Sequence, residues 1–251
     1  MAELRKSGIS FAAPEAACYD AIAQAMPHRY AEAHRIQNDL VTAALRRAPE
    51  QLRVLEIGPG TCTDLCRILD APHARKLAYL GWEQSEEMVK IGRRKLPSWT
   101  AKSVRIECVD AIDAIVRAAE SFTFDICFSA FVYHHMEPAD RLVVHKAAIE
   151  RLRAGGLYII TDLFKPSGDA AAEAAADEIE GVQTAVRSAK LPSDVDAAAL
   201  LNAWTQHYTD QNPPALVDEL KMLIDLPSVP EVLYADCQVH VIAVRKGEHR
   251  T

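Results

Sequence analysis

Four stretches of this chain carry side chains whose types and spacing could do chemistry. In VLEIGPGTCTDL, running from Val54 to Leu65, Glu56 stands just ahead of Gly58, Pro59, Gly60 and Thr61. Paired glycines of this kind let a backbone turn sharply and come close to a ligand. Glu83, with Gln84 and Met88 behind it, and Asp110, followed by Ala111, each fall where a β-rich run ends. Acids at such positions accept hydrogen bonds from ribose hydroxyls in nucleotide-binding folds. Their competing use is to cap the helix that follows. In the fourth stretch, FVYHHM, Tyr133, His134 and His135 follow Ser129 and Ala130. An imidazole titrates near neutrality and suits a general base, although one of two adjacent histidines can simply cap or pack. Asp162 and Lys165, beyond the next strand, are candidate substrate contacts.

The acids narrow the ligand. A dinucleotide turn needs room for a pyrophosphate and usually a third glycine, where this chain has Thr63. Glu56 ahead of the turn suits a ligand bearing positive charge better than one bearing phosphate. Cys62 and Cys66 could share a helix face, but two thiols without further ligands make a poor metal site, so no metal is expected.

Other polar and aromatic residues admit two readings. His145 and His240 read as packed residues, the first on a helix face with Leu142, Ile149 and Leu152. Tyr30, His34 and Gln37 share a polar stripe, either a solvated helix face or a contact with ligand, and Tyr19 lies on the preceding helix. Trp204, His207 and Tyr208 recur at i, i+3 and i+4, which could wall an aromatic acceptor or pack a helical cap.

The elements that must position these groups follow a rhythm. Two helices, Glu15 to Met26 and another after Pro27, precede a strand at Arg53 to Ile57. Strands then alternate with helices: Leu77 to Trp82, Val104 to Val109, Phe124 to Ser129 and Leu157 to Thr161. Ser85 is expected to cap one helix, and Gly155 and Gly156 to close another that starts at Pro138. This alternation predicts a doubly wound, mostly parallel α/β sheet. Its carboxyl edge gathers the glycine turn, Glu83 and Asp110. After Asp162 the chain turns Ala-rich and helical, with Ser193 and Asp196 in a capping pattern. The final strands, Glu231 to Ala235 and Gln238 to Arg245, are joined too tightly to be parallel.

At 251 residues the chain can bury one sizeable core. Its formal net charge of -7 disfavours a phosphate backbone as partner. No apolar run approaches a membrane span, the start lacks a signal-peptide pattern, and the scattered cysteines fit a reducing compartment, so a cytoplasmic protein is expected.

These motifs together resemble the class I S-adenosylmethionine-dependent methyltransferases. VLEIGPGTCTDL is similar to their first motif, LGWEQSEEMV to the ribose-binding acidic motif and ECVDAID to the adenine-contacting motif. FDICFSAFVYHHM and RLRAGGLYIITD resemble the later strand motifs, and VLYAD with VHVIAVRK the closing hairpin. The resemblance implies a Rossmann-like seven-stranded sheet with a terminal antiparallel strand, binding S-adenosylmethionine and releasing S-adenosylhomocysteine. Glu56, Gly58, Gly60 and Thr61 would then hold the methionine part and Glu83 the ribose. Gln84, Met88, Asp110 and Ala111 would surround the adenine, with Ser129, Ala130 and Tyr19 adding contacts. His135, by likeness to the final histidine of such motifs, is favoured over His134 as base. Glu56 departs from the more frequent Asp.

The expected organisation is a helical segment, 1–50, covering the site; a cofactor-binding core, 51–166 and 213–251; and a helical cap, 167–212. The expected function is methyl transfer to an oxygen, nitrogen or sulfur nucleophile on a small molecule. Alternatives are an enzyme making carboxylated S-adenosylmethionine, for which Lys165, Arg187 and Lys190 are the available cations, a non-catalytic binder, and a nicotinamide dehydrogenase. Oligomeric state is left open.

Overall fold

The computed structural model describes residues 13–247, apart from 119–121, 166–169, 194, 211–212 and 227. Helices α1 (Ala13–Ala25) and α2 (His28–Arg47) lead into β1 (Leu52–Ile57). The chain then alternates through α3 (Thr63–Leu69), β2 (Leu77–Glu83), α4 (Glu86–Lys95), β3 (Val104–Cys108), α5 (Ala111–Arg117), β4 (Phe124–Ala130), α6 (Pro138–Arg151) and β5 (Leu152–Leu163). Helices α7 (Ala170–Ser188), α8 (Ala197–Asp210) and α9 (Leu216–Ile224) precede a hairpin of β6 (Ser228–Asp236) and β7 (Val239–Lys246).

The strands form one sheet in the order β3-β2-β1-β4-β5-β7-β6. The first five are parallel, and β7 runs antiparallel to both β5 and β6, as the short link between the last two strands requires. β1 is buried on both faces. Val54 packs with Val41, Leu45, Leu65 and Ile68 on one side of the sheet, while Leu55 and Ile57 pack with Ile115, Val144 and Ile160 on the other. Such double coverage is why these strands read as apolar runs without polar alternation. The order reverses between β1 and β4, which opens a crevice at their carboxyl ends.

A third apolar cluster joins α1 to α7 and α8 through Cys18, Ile22, Val182, Val186, Leu200 and Trp204. The N-terminal helix and the helical insertion thus share one core.

Three local expectations are corrected. β5 starts at Leu152, directly after α6, so Gly155 and Gly156 lie inside the strand and do not close the helix. Gly155 has φ +74, and a Cβ on Gly156 would come within 3.0 Å of the Asp125 carbonyl, where the pairing with β4 also shifts register. Leu142 is 42% exposed and leaves the buried face of α6 to Val144, His145, Ala148 and Ile149. At α8 the cap is Asp196 and not Ser193: its carboxylate accepts the N–H groups of Ala198 and Ala199, each at 3.0 Å.

Candidate functional site

The glycine turn is built by conformation and by crowding. Gly58 and Gly60 have φ of +69 and +53, and a Cβ on Gly58 would lie 2.4 Å from a methyl of Val132. Nothing stands within 4 Å of a Cβ placed on Gly60, so the space beside it is open. Glu83 is tied to that turn, one oxygen accepting the Gly60 N–H at 2.9 Å and the other the Ser85 N–H at 2.8 Å. Burial pushes its carboxyl above the usual range, and these N–H groups oppose the shift. Asp110 caps α5 by accepting from Ile112 at 2.8 Å and Asp113 at 3.1 Å, and it also lines the crevice, so its two sequence readings coexist.

The crevice encloses about 820 Å³, counting its open mouth. One wall brings together Gly58, Gly60, Glu83, Gln84, Met88, Asp110 and Ala111, all singled out from sequence. The lining also takes in Tyr19 from α1 and Ala130 and His135 from the end of β4 and the loop beyond it. Ile57, Trp82, Ile112 and Val132 complete the lining without having been picked from sequence, as apolar residues at strand ends carry no local signal. Phe131 and Met136, noticed only as part of the FVYHHM string, line it as well.

Other candidates are held away from the crevice. Glu56 is 2% exposed, its carboxyl bonded by the Tyr79 hydroxyl and pushed well up by burial and by Asp64. Thr61 donates to Asp20 of α1 at 2.5 Å, and Lys95 pairs with the same carboxylate, so α1 is fastened to the glycine turn. Ser129 is fully buried. Tyr133 is buried against His145, its hydroxyl accepting from Tyr158 at 2.6 Å. His134 is buried too: its ring Nδ1 bonds Asp162, and that carboxylate also takes the N–H groups of Tyr133 at 2.6 Å, His134 at 3.3 Å and Leu163 at 2.7 Å. Of the two histidines, therefore, His135 alone lines the crevice, with the His134 ring 3.8 Å from its own.

The polar stripe of α2 faces inward. Gln37 and Asn38 are buried beside Asp64, whose carboxylate His34 bonds at 2.7 Å and Asn38 at 2.7 Å. Tyr30 bonds the buried Glu178 of α7, which Arg29 also holds at 2.8 Å. The solvated-face reading of this stripe is overturned, because α7 and α3 bring acids to meet it. Tyr30 and His34 also pack on Phe131 at 4.9 and 5.1 Å between ring centroids, where Phe131 adopts a left-handed φ of +57.

Trp204 is buried on α8 and lies 6.1 Å from the Tyr19 ring, while the side chains of His207 and Tyr208 fall outside the described residues. Lys165, Arg187 and Lys190 are exposed and do not line the crevice. Among the described residues there is no group of three or more His, Cys, Asp or Glu that could hold a metal ion, and no helix is long and apolar enough to cross a membrane.

Fold and crevice together define a doubly wound α/β domain closed by an antiparallel hairpin, with the crevice at the carboxyl edge of its parallel strands. Residues 55–158 match the family model described as a methyltransferase domain. The uncharacterized methyltransferase YrrT of Bacillus subtilis (strain 168) is 31% identical over 136 residues, which are 54% of this chain and 56% of that protein. The chain thus spans little more than half the length of this relative. Among solved structures, the CurJ carbon methyltransferase superposes with a TM-score of 0.59 at 16% identity, over 86% of this chain and 54% of its own. An O-methyltransferase family protein from Burkholderia thailandensis gives 0.57 at 14%, over 86% and 57%. The Haemonchus contortus phosphoethanolamine N-methyltransferase 2, solved with phosphomonomethylethanolamine and S-adenosylhomocysteine, gives 0.55 at 12%, over 84% and 52%. At these identities the likeness to the structures is one of fold. The comparisons thus show a match to a methyltransferase domain over residues 55–158 and, across most of the chain, the fold of the methyltransferases it superposes on.

Proposed function

We propose that the protein binds S-adenosylmethionine in the crevice and transfers its methyl group to a nucleophile on a small molecule. The observation that carries this reading is the convergence of the Gly58–Gly60 turn, Glu83, the α5 start and His135 on one crevice. The residues fit the group. Glu83 offers a carboxylate to ribose hydroxyls, and the open space beside Gly60 lets a ligand approach the backbone. Gln84, Met88, Ala111 and Ile112 offer a flat, largely apolar slot for a purine. The cofactor would supply a methyl carbon already activated by sulfonium, with the C–S electron pair leaving on sulfur.

What remains for the chain is alignment and proton removal. His135 is the group suited to accept the acceptor's proton. Glu56, buried and bonded by the Tyr79 hydroxyl, does not line the crevice and is not assigned as a direct partner of the ligand's ammonium. The exposed positions of Lys165, Arg187 and Lys190 weigh against a carboxylated-cofactor synthase, which needs cations at the site.

Calorimetry with S-adenosylmethionine and S-adenosylhomocysteine tests the proposal. Saturable binding that Glu83→Ala weakens is expected; heat of dilution alone from the folded protein would sink it.

A further inference from the structure

Resting on the reading of His135 as the base, we infer that Glu219, Arg141 and His145 are positioning residues that together set the turn carrying His135. The chain leaves β4 at Phe131, whose left-handed φ of +57 persists only where its surroundings over-determine it. Within the turn, the His135 N–H reaches the Val132 carbonyl at 3.1 Å and the Met136 N–H the Tyr133 carbonyl at 2.9 Å. Both ends of this turn are gripped by one buried assembly. At the far end, Arg141 of α6 donates to the Met136 carbonyl at 2.7 Å and, through Nε, to one oxygen of Glu219 at 3.1 Å. The other Glu219 oxygen bonds His145 Nε2 at 2.6 Å. His145 Nδ1 bonds the Tyr158 hydroxyl at 2.7 Å, which meets the Tyr133 hydroxyl at the near end of the turn at 2.6 Å. His134 and His135 are the two residues between the ends of this circuit.

Stability alone does not account for this assembly. The side chains of Arg141, Glu219 and His145 are 6%, 0% and 0% exposed, so the ions have given up their water. Apolar side chains of similar volume commonly stabilise a fold as well as a buried ion pair does, or better. What they cannot supply is direction. A guanidinium held by Glu219 presents an N–H to one carbonyl, and a hydroxyl held by His145 meets one phenol, so each end of the turn is fixed by bonds of defined geometry. Glu219 comes from α9, 78 residues beyond Arg141, and thereby makes the setting of the turn depend on a helix remote in the chain. Of the residues from Phe131 to Met136, Phe131, Val132, His135 and Met136 line the crevice, so a turn that slackens would move His135 along with part of the lining.

The test is amide hydrogen exchange on the full chain without ligand, read residue by residue by NMR together with the carbon-bound proton signals of the His135 ring. A variant carrying both Arg141→Met and Glu219→Gln removes the two charges together, and the new amide can still meet His145. Protection at His135 and Met136 is expected to fall about tenfold, the worth of one charge-assisted hydrogen bond, while Phe128 in β4 stays within about threefold of wild type. The His135 ring signals should shift with it. Unchanged protection at the turn with unchanged ring signals overturns the inference. An equal loss at Phe128 also overturns it, since the network would then contribute to stability alone. Tyr158→Phe keeps the ring and removes one hydroxyl, and it serves if the double variant fails to fold: a loss of about threefold confined to the turn is expected, and none overturns the inference. The two readings beneath it fail separately, the cofactor reading if wild type does not bind S-adenosylhomocysteine and the base reading if His135→Ala retains turnover.

Discussion

Asp162 and His134 are bonded to one another beneath the crevice, at 1% and 3% side-chain exposure, and the same carboxylate accepts the backbone N–H groups of Tyr133 and His134. Asp162 thereby folds the loop that presents His135. Asp162→Asn replaces an acceptor of four N–H bonds by an amide with one donating side. A loss of about 3 kcal/mol is expected from urea unfolding. Turnover should fall further than the unfolding explains, while affinity for S-adenosylhomocysteine changes by less than about threefold. Unchanged turnover in a folded variant would separate this loop from the chemistry.

His135 itself should behave as a base. His135→Ala is expected to lower kcat by about 10² to 10⁴ with cofactor affinity retained. His134→Gln is expected to act mainly on stability, and the reverse pattern would reassign the two histidines.

The two turn glycines should fail differently on substitution by Ala. At Gly58 the new methyl collides with Val132 at 2.4 Å as well as straining φ, so the variant should unfold at markedly lower urea than wild type. Gly60→Ala meets no protein atom and carries only a left-handed backbone cost of about 1 kcal/mol. If a ligand fills the open space beside Gly60, this mild variant should nevertheless lose cofactor affinity. Retained affinity would move the ligand elsewhere.

Glu178 links α7 to α2 through Tyr30 and Arg29. Glu178→Ala leaves the buried Tyr30 hydroxyl without this acceptor and should cost about 2 kcal/mol. A double-mutant cycle with Arg29→Ala is expected to return a favourable coupling, and additive costs would show that the pair contributes nothing beyond its parts.

Acid should weaken the contact between α2 and α3. Burial raises the Asp64 carboxyl, but the His34 charge and the bonds from His34 and Asn38 outweigh it and hold the group below its ordinary value. A lowered carboxyl adds stability that is fully present above the ordinary carboxylate range, about pH 4, and is lost as pH falls through the lowered value. Asp64→Asn should therefore cost stability at neutral pH, and its difference from wild type should shrink in strong acid. A difference that stays constant down the titration would contradict this assignment.

The alternation of strands and helices was legible because burial on both faces leaves apolar runs of fixed length, and the glycine turn because only glycine tolerates its dihedrals and crowding. Glu83 and Asp110 were legible because they sit at strand ends, where local order alone places them at the ligand edge. The extent of β5 was not, since Gly155 and Gly156 punctuate a helix end and a strand irregularity in the same way. Nor was the inward turn of Tyr30 and Gln37, whose partners Glu178 and Asp64 are distant in the chain.

What this chain determined by itself is therefore the order of its sheet elements and the kind of edge they build, both consequences of local pattern and short connections. Only the tertiary structure decided which of two adjacent histidines reaches the crevice and that Glu56 is buried behind it. It also decided which aromatic rings line the crevice. Those outcomes depend on a carboxylate, a tyrosine and two helices brought in from elsewhere in the sequence, and side-chain direction is set by such packing partners.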